Sequence, residues 1–177
     1  MSDKNSNLAV DFSQPLLNDK NGSQFLTFTL DGEHYAVDIL QVQEIKAWTP
    51  VTKVPNTPNT IKGVLNLRGE IVPIVDMRAH FGLSDTEYTS LTVIIVLSLP
   101  DKNGRSRTIG IIADSVSDVV DINADNLKST PDLGDKVKTD FIRSIATVDQ
   151  KMVMLLDIML LVNTSALDAV LAEASDE

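Results

Sequence analysis

The sequence predicts a mainly β protein made of two similar lobes. Three observations carry that expectation. Apolar residues come in short alternating or β-branched runs, such as Phe25 to Leu30 and Val93 to Leu99, bounded by turn dipeptides such as Asp31-Gly32. Residues 61–76 align without a gap on residues 142–157. Hydrophobic residues are 43% of the 177, enough to pack a core around those strands.

The elements follow in order. Residues 1–22 are rich in Asn, Asp and Ser without a sustained period and read as a flexible tail. Phe25, Thr27 and Thr29 then alternate with Leu26, Phe28 and Leu30, and Tyr35 to Val37 returns across Asp31-Gly32 as the second arm of a hairpin. Asp38 is placed to cap a short helix carrying Ile39, Val42 and Ile45 at spacing three. Prolines at 50, 55 and 58 mark a loop. Gly63 to Leu67 and Ile71 to Val75 form a hairpin across Arg68-Gly69. Pro73 has no N–H for a ladder, so its strand is expected at an edge or at a bulge.

The second half opens with Val93 to Leu99. The polar loop Asp101 to Arg107 leads to Ile109 to Ala113. Asp114 precedes Val116, Val119 and Val120 in the manner of Asp38 before its helical turn, and Asp125 to Thr139 reads as loop. Ile142 to Val148 and Lys151 to Leu156 form a last hairpin across Asp149-Gln150. Ser165 and Asp168 fit the start of a helix over about 165–174, with Leu167, Val170 and Leu171 on one face and a frayed end after it.

In the aligned segments Ile61 matches Ile142, Lys62 matches Arg143, Val72 matches Val153 and Asp76 matches Asp157. More loosely, Tyr35-Ala-Val-Asp resembles Ile111-Ile-Ala-Asp, and Val42-Gln-Glu-Ile resembles Val116-Ser-Asp-Val. A lobe of about 60 residues is marginal as an independent core, so the two are expected to share a hydrophobic seam. Two small barrels side by side leave a groove and exposed strand edges, both suited to docking a protein.

Composition narrows the function. Asp and Glu number 25 against 15 Lys and Arg, for a net charge of −10. Such a chain gains nothing from counterion release on nucleic acid and is repelled by anionic lipid. The absence of cysteine excludes disulfides, thiolate zinc sites, Fe–S clusters and cysteine nucleophiles. No window approaches the ~18 apolar residues of a membrane span, and the first residues contain no signal-peptide core. A cytoplasmic protein without membrane insertion is expected.

The search for chemistry finds little. The phosphate-binding GxxxxGK[ST], the dinucleotide GxGxxG and the GxSxG elbow are absent. His34 and His80 have no ligand set around them, so no metal and no cofactor is expected. Asp38, Asp76, Asp114 and Asp157 each end an apolar strand. A dyad sharing one proton is one reading, but it needs Gly-flanked loops that are missing here. Capping of a following helical turn accounts for all four, at about 1 kcal/mol each. Trp48 is either a packed core edge or an exposed anchor. Arg68, at a hairpin tip, can present a guanidinium to a carboxylate such as Glu44.

Three blocks carry a resemblance to a known family. Residues 61–78, Ile-Lys-Gly-Val-Leu-Asn-Leu-Arg-Gly-Glu-Ile-Val-Pro-Ile-Val-Asp-Met-Arg, closely resemble the signature of the CheW family of chemotaxis coupling proteins. Residues 25–45 resemble its opening block, and Ile109-Gly-Ile-Ile-Ala-Asp-Ser-Val-Ser-Asp-Val a later one. The resemblance covers about 23–162 and leaves 163–177 to the terminal helix and frayed end. Met77 departs from the Leu often found there, a nearly volume-conserving exchange.

The resemblance implies two five-stranded SH3-like barrels around a shared core, no catalysis, and a monomer when isolated. It implies an adaptor that joins the cytoplasmic tips of chemoreceptors to the regulatory domain of the histidine kinase CheA. By motif position, Val42, Glu44, Ile45, Arg68 and Gly69 fall in the partner-facing region. Val93 and Val119 are expected near an inter-lobe groove that takes the receptor, and Leu133 is a candidate for a second kinase contact. Which residues face kinase and which face receptor is left open. Other readings are a coupler of a different chemosensory array and a small acid-dyad hydrolase.

Overall fold

Three tight turns set the registers from which the fold is assembled. In the computed structural model, which describes residues 23–83, 87–100, 103–128 and 141–162, the two-residue turns Asp31-Gly32, Arg68-Gly69 and Asp149-Gln150 all have positive φ at both positions. This turn geometry matches the right-handed twist of the strands it joins. The turns link β1 (Ser23–Leu30) to β2 (Glu33–Asp38), β4 (Ile61–Leu67) to β5 (Glu70–Asp76), and β10 (Ile142–Val148) to β11 (Lys151–Leu156). The remaining strands are β3 (Val42–Ala47), β6 (Val93–Pro100), β7 (Ser106–Ala113), β8 (Ser115–Ile122) and β9 (Leu127–Lys128). Two four-residue helices, α1 (Met77–His80) and α2 (Met159–Val162), follow β5 and β11.

The protein is mainly β, in two sheets ordered β8-β1-β2-β11-β10-β9 and β3-β6-β7-β5-β4. Apart from the two-residue β9, each has five strands. The internal repeat is visible in the ladders. The β4–β5 pairing shifts register between Ile61 and Gly63, and the β10–β11 pairing shifts at the aligned Ile142 and Ser144. Each sheet also contains one parallel pairing, β5 with β7 and β11 with β2.

The lobes are nevertheless not the two halves of the chain. The β1–β2 hairpin sits in one sheet with β8, β10 and β11, while the β6–β7 hairpin sits in the other with β3, β4 and β5. Each repeat gives its hairpin to one lobe and its last three long strands to the other. The chain crosses between sheets at Ile39–Gln41, a 3-10 turn after β2, and at Asp114, the single residue between β7 and β8.

This exchange explains the apolar run of β6. Ile94 and Val96 point into a barrel interior with Val72, Ile74 and Ile112. Ile95, Leu97 and Leu99 point the other way, into a seam with Leu26, Phe28, Leu30, Tyr35 and Val37 of the opposite lobe. Phe25, Ala36, Ile122, Ala146, Val153 and Leu155 fill the second barrel. A strand buried on both faces has no polar side to show, hence its continuous hydrophobicity. Phe28 stacks near Tyr35 at 6.0 Å, and Tyr35 on Phe81 beyond α1 at 5.3 Å.

Several expectations are corrected. Val42, Glu44 and Ile45 lie on strand β3, not on a helix; only Ile39–Gln41 turns helically, with the Asp38 carboxylate accepting from Leu40 N–H at 3.0 Å. The β3–β6 register slips between Val42 and Glu44, so Gln43 is bulged out. The β1–β8 register slips likewise between the partners Val116 and Val119, and β8 is also a strand. One inserted residue turns a period of two into a spacing of three, which imitates a helix in sequence. Pro73 lies on β5, inside its sheet rather than at an edge, and the register shift of that hairpin falls on the β4 side. The parallel ladder to β7 registers only from Ile74 onward, so Pro73 stands just before it. Within the segment read as loop after Asp125, Leu127 and Lys128 pair with β10. The N-terminal tail, the helix over 165–174 and Leu133 lie outside the described residues.

Candidate functional site

Four of the expected contact residues, Glu44, Ile45, Arg68 and Gly69, meet at one place in the five-stranded lobe. Its outer strands are β3 and β4. The chain after β3 folds back so that Thr52 pairs with Val64 of β4, N–H to carbonyl both ways at 2.9 and 2.8 Å. Gly63 permits that approach, because a Cβ there would stand 2.3 Å from the Thr52 carbonyl oxygen. Arg68, in the β4–β5 turn, reaches the same side from its left-handed backbone, φ 52°. Its guanidinium donates to the Glu44 carboxylate of β3 at 2.5 Å. The Asn66 side chain accepts from Gly69 N–H at 2.9 Å and braces the turn.

The pair is a surface feature. Arg68 is mostly exposed, and Glu44 keeps the guanidinium protonated above its ordinary range, with Glu70 adding to the field. Water screens such a pair, so it shapes the surface more than it stabilises the fold. Beside it Ile45 is 44% exposed, and Leu40 on the preceding turn is 57% exposed. The result is an apolar and charged strip along an outer strand. Val42, on the other side of the bulge, packs inward against the seam.

The other candidates lie elsewhere. Val93 begins β6 between Ala47 of β3 and Ala113 of β7 and packs against the seam. Val119 is 47% exposed on β8, the outer strand of the other sheet, opposite Leu26. Trp48 is half-buried and packs on Tyr88 with ring centroids 4.0 Å apart, with the Lys62 ammonium 5.3 Å from the tyrosine ring. It serves more as a core edge than as a free anchor.

The four strand-ending acids divide. Asp38, Asp76 and Asp157 accept from the N–H two residues on, at Leu40, Arg78 and Met159, as capping requires. Asp114 does not cap. Its carboxylate accepts from the Asp31 N–H and from the Arg78 guanidinium, both at 2.8 Å, because the chain continues directly into strand β8 and leaves no helical turn to cap. Arg78 also faces the Asp31 carboxylate at 3.4 Å and is itself 4% exposed. Sequence reasoning assigned Arg78 no role. The signal was an arginine set among Val75, Met77 and Phe81, where a solvated side chain is out of place.

Among the described residues no cluster of three or more His, Cys, Asp or Glu could hold a metal ion, and no helix is long and apolar enough to cross a membrane. Two interlocked barrels with a charged strip along one outer strand define a class of protein that works by presenting surfaces. The model of the CheW-like domain matches residues 24–166. The chain is 42% identical over 137 residues to a chemotaxis protein CheW of Klebsiella aerogenes, covering 77% of this chain and 80% of that one. It is 33% identical to a chemotaxis protein CheW of Rhizobium meliloti, covering 77% and 85%. The solved structure of the scaffolding protein TtCheW from Thermoanaerobacter tengcongensis superposes with a TM-score of 0.72 at 27% identity, over 89% of this chain and 95% of that one. The chain belongs to the CheW-like domain family; its curated relatives are named chemotaxis proteins, and the solved structure is that of a scaffolding protein.

Proposed function

We propose that this protein is a non-catalytic coupler that joins the cytoplasmic tips of chemoreceptors to the regulatory domain of a CheA-type histidine kinase. On this reading it acts in the cytoplasm and is recruited to membrane-associated receptor arrays. The observation that carries the reading is the family match across nearly the whole folded body, joined to the Arg68–Glu44 pair on an outer strand. The family resemblance gives the kinase regulatory domain the same two-barrel build, and on this reading it docks through strand edges and turns. The strip formed by Glu44, Ile45, Arg68 and Gly69 has the composition of a small interface: an apolar centre beside a charge able to select its partner. Val93 and Val119 are proposed for the receptor side, at the seam and on the β8 edge.

The test is sedimentation of the purified chain, alone and mixed with a matched CheA regulatory domain and a receptor tip fragment. A ternary complex larger than either binary pair is expected. A folded chain that binds neither would refute the coupling reading.

A further inference from the structure

We infer that Arg78, Asp31 and Asp114 form a latch that sets the angle between the two lobes. The three groups come from three different parts of the architecture. Asp31 is the tip of the β1–β2 turn in the six-stranded lobe. Arg78 stands on α1, directly after β5 of the five-stranded lobe. Asp114 is the single residue by which the chain passes from one lobe to the other. The Arg78 guanidinium donates to Asp114 at 2.8 Å and to Asp31 at 3.4 Å, the Asp31 N–H donates to the same Asp114 oxygen at 2.8 Å, and the Asp114 N–H donates to the Thr29 carbonyl at 2.9 Å.

The seam beneath is apolar, and apolar burial has no preferred direction. A planar guanidinium held by two carboxylates does, because its donors form a rigid fork. The internal repeat gives an independent comparison. Asp76 and Arg78 align with Asp157 and Met159, so the counterpart of the arginine is apolar. The other crossing, at Ile39–Gln41, follows Asp38, which accepts from Leu40 N–H. The crossing at Asp114 is thus clamped by a buried cation, whereas at the other the cation near Asp38 is the part-exposed Arg143, which pairs with Asp157 at 3.6 Å. If the coupling proposed above holds, the latch also fixes how surfaces on the two lobes are presented to two partners at once.

The chain has no cysteine, so labels can be placed without background. Lys53→Cys in the five-stranded lobe and Met152→Cys in the six-stranded lobe, both at exposed sites, would take spin labels for distance measurement. The parent chain should give one narrow distance distribution. Asp114→Asn, Asp31→Asn and Arg78→Lys, each checked for native circular dichroism, should at least double its width, with Arg78→Met broader still. Distributions as narrow as the parent's in the folded variants would overturn the latch. Binding of the CheA regulatory domain is read on the same samples: a parent chain that does not bind refutes the coupling reading while the distances still decide the latch.

Discussion

The Cα of Gly63 faces the carbonyl of Thr52 so closely that a methyl group on it would stand 2.3 Å from the oxygen and 3.0 Å from a Val51 methyl. That contact closes the five-stranded lobe, because the two hydrogen bonds between Thr52 and Val64 are made beside it. Gly63→Ala should force Thr52 off β4, losing both bonds and costing about 2–3 kcal/mol. Urea unfolding measures the loss, and amide exchange should accelerate first at Thr52 and Val64. An unchanged midpoint would show that the loop yields without penalty.

Arg68→Glu should leave the fold intact, since the pair it breaks is solvent-screened, yet reverse the charge on the β3 strip. Binding of the CheA regulatory domain or of the receptor tip should weaken about tenfold or more. The exchanged pair Glu44→Arg with Arg68→Glu restores the bridge but not the polarity. If the double variant binds as the parent does, the bridge itself matters; if it stays weak, the sign of charge at each position is what the partner reads.

The turn Asp149-Gln150 holds two non-glycine residues at φ 51° and 67°, where the aligned turn has Arg68 and Gly69. A left-handed backbone costs an L-residue about 1–2 kcal/mol, part of which glycine returns as unfolded-state entropy. Gln150→Gly should stabilise by up to about 1 kcal/mol, or about 2–4 °C in Tm. A lower Tm would mean that the glutamine side chain contributes a contact worth more than the strain.

Burial pushes the Asp38 carboxyl above its ordinary 3.8, outweighing the Leu40 N–H and the field of Arg143. Below pH 3.8 the group is protonated in both states and contributes nothing. As pH rises past that value the unfolded chain ionises first, so stability falls until the folded group also ionises, and the loss then stays constant. Asp38→Asn keeps an acceptor for Leu40 and removes the buried charge. It should match or exceed the parent in stability at pH 7 and equal it near pH 3, by urea unfolding at both. A deficit at pH 7 that vanishes at pH 3 would show instead that attraction to Arg143 prevails.

Local chemistry made most elements legible. Asp31-Gly32 and Arg68-Gly69 are turns that strands of this twist favour, and the alternation from Phe25 to Leu30 is the alternation between barrel interior and seam. The Glu44–Arg68 pair was legible as residue chemistry, though Glu44 was expected on a helix. That error has a definite source: bulges at Gln43 and in β8 reproduce helical spacing, and only pairing partners distinguish the two. Arg78 was missed because its partners Asp31 and Asp114 are distant in sequence and neither forms a local motif with it.

By itself the sequence determined the β class, the turns, the repeat and the family, because each depends on residue order over short spans. Only the tertiary structure decided which strands make which lobe. A repeat of five long strands cannot bury both faces of its apolar hairpin alone, so each hairpin is covered by three strands of the other repeat. That exchange places Ile95 and Leu97 in a shared seam, makes Asp114 a crossing point, and brings a buried arginine to it. None of these relationships is local, and burial of apolar surface across the whole chain is what selects them.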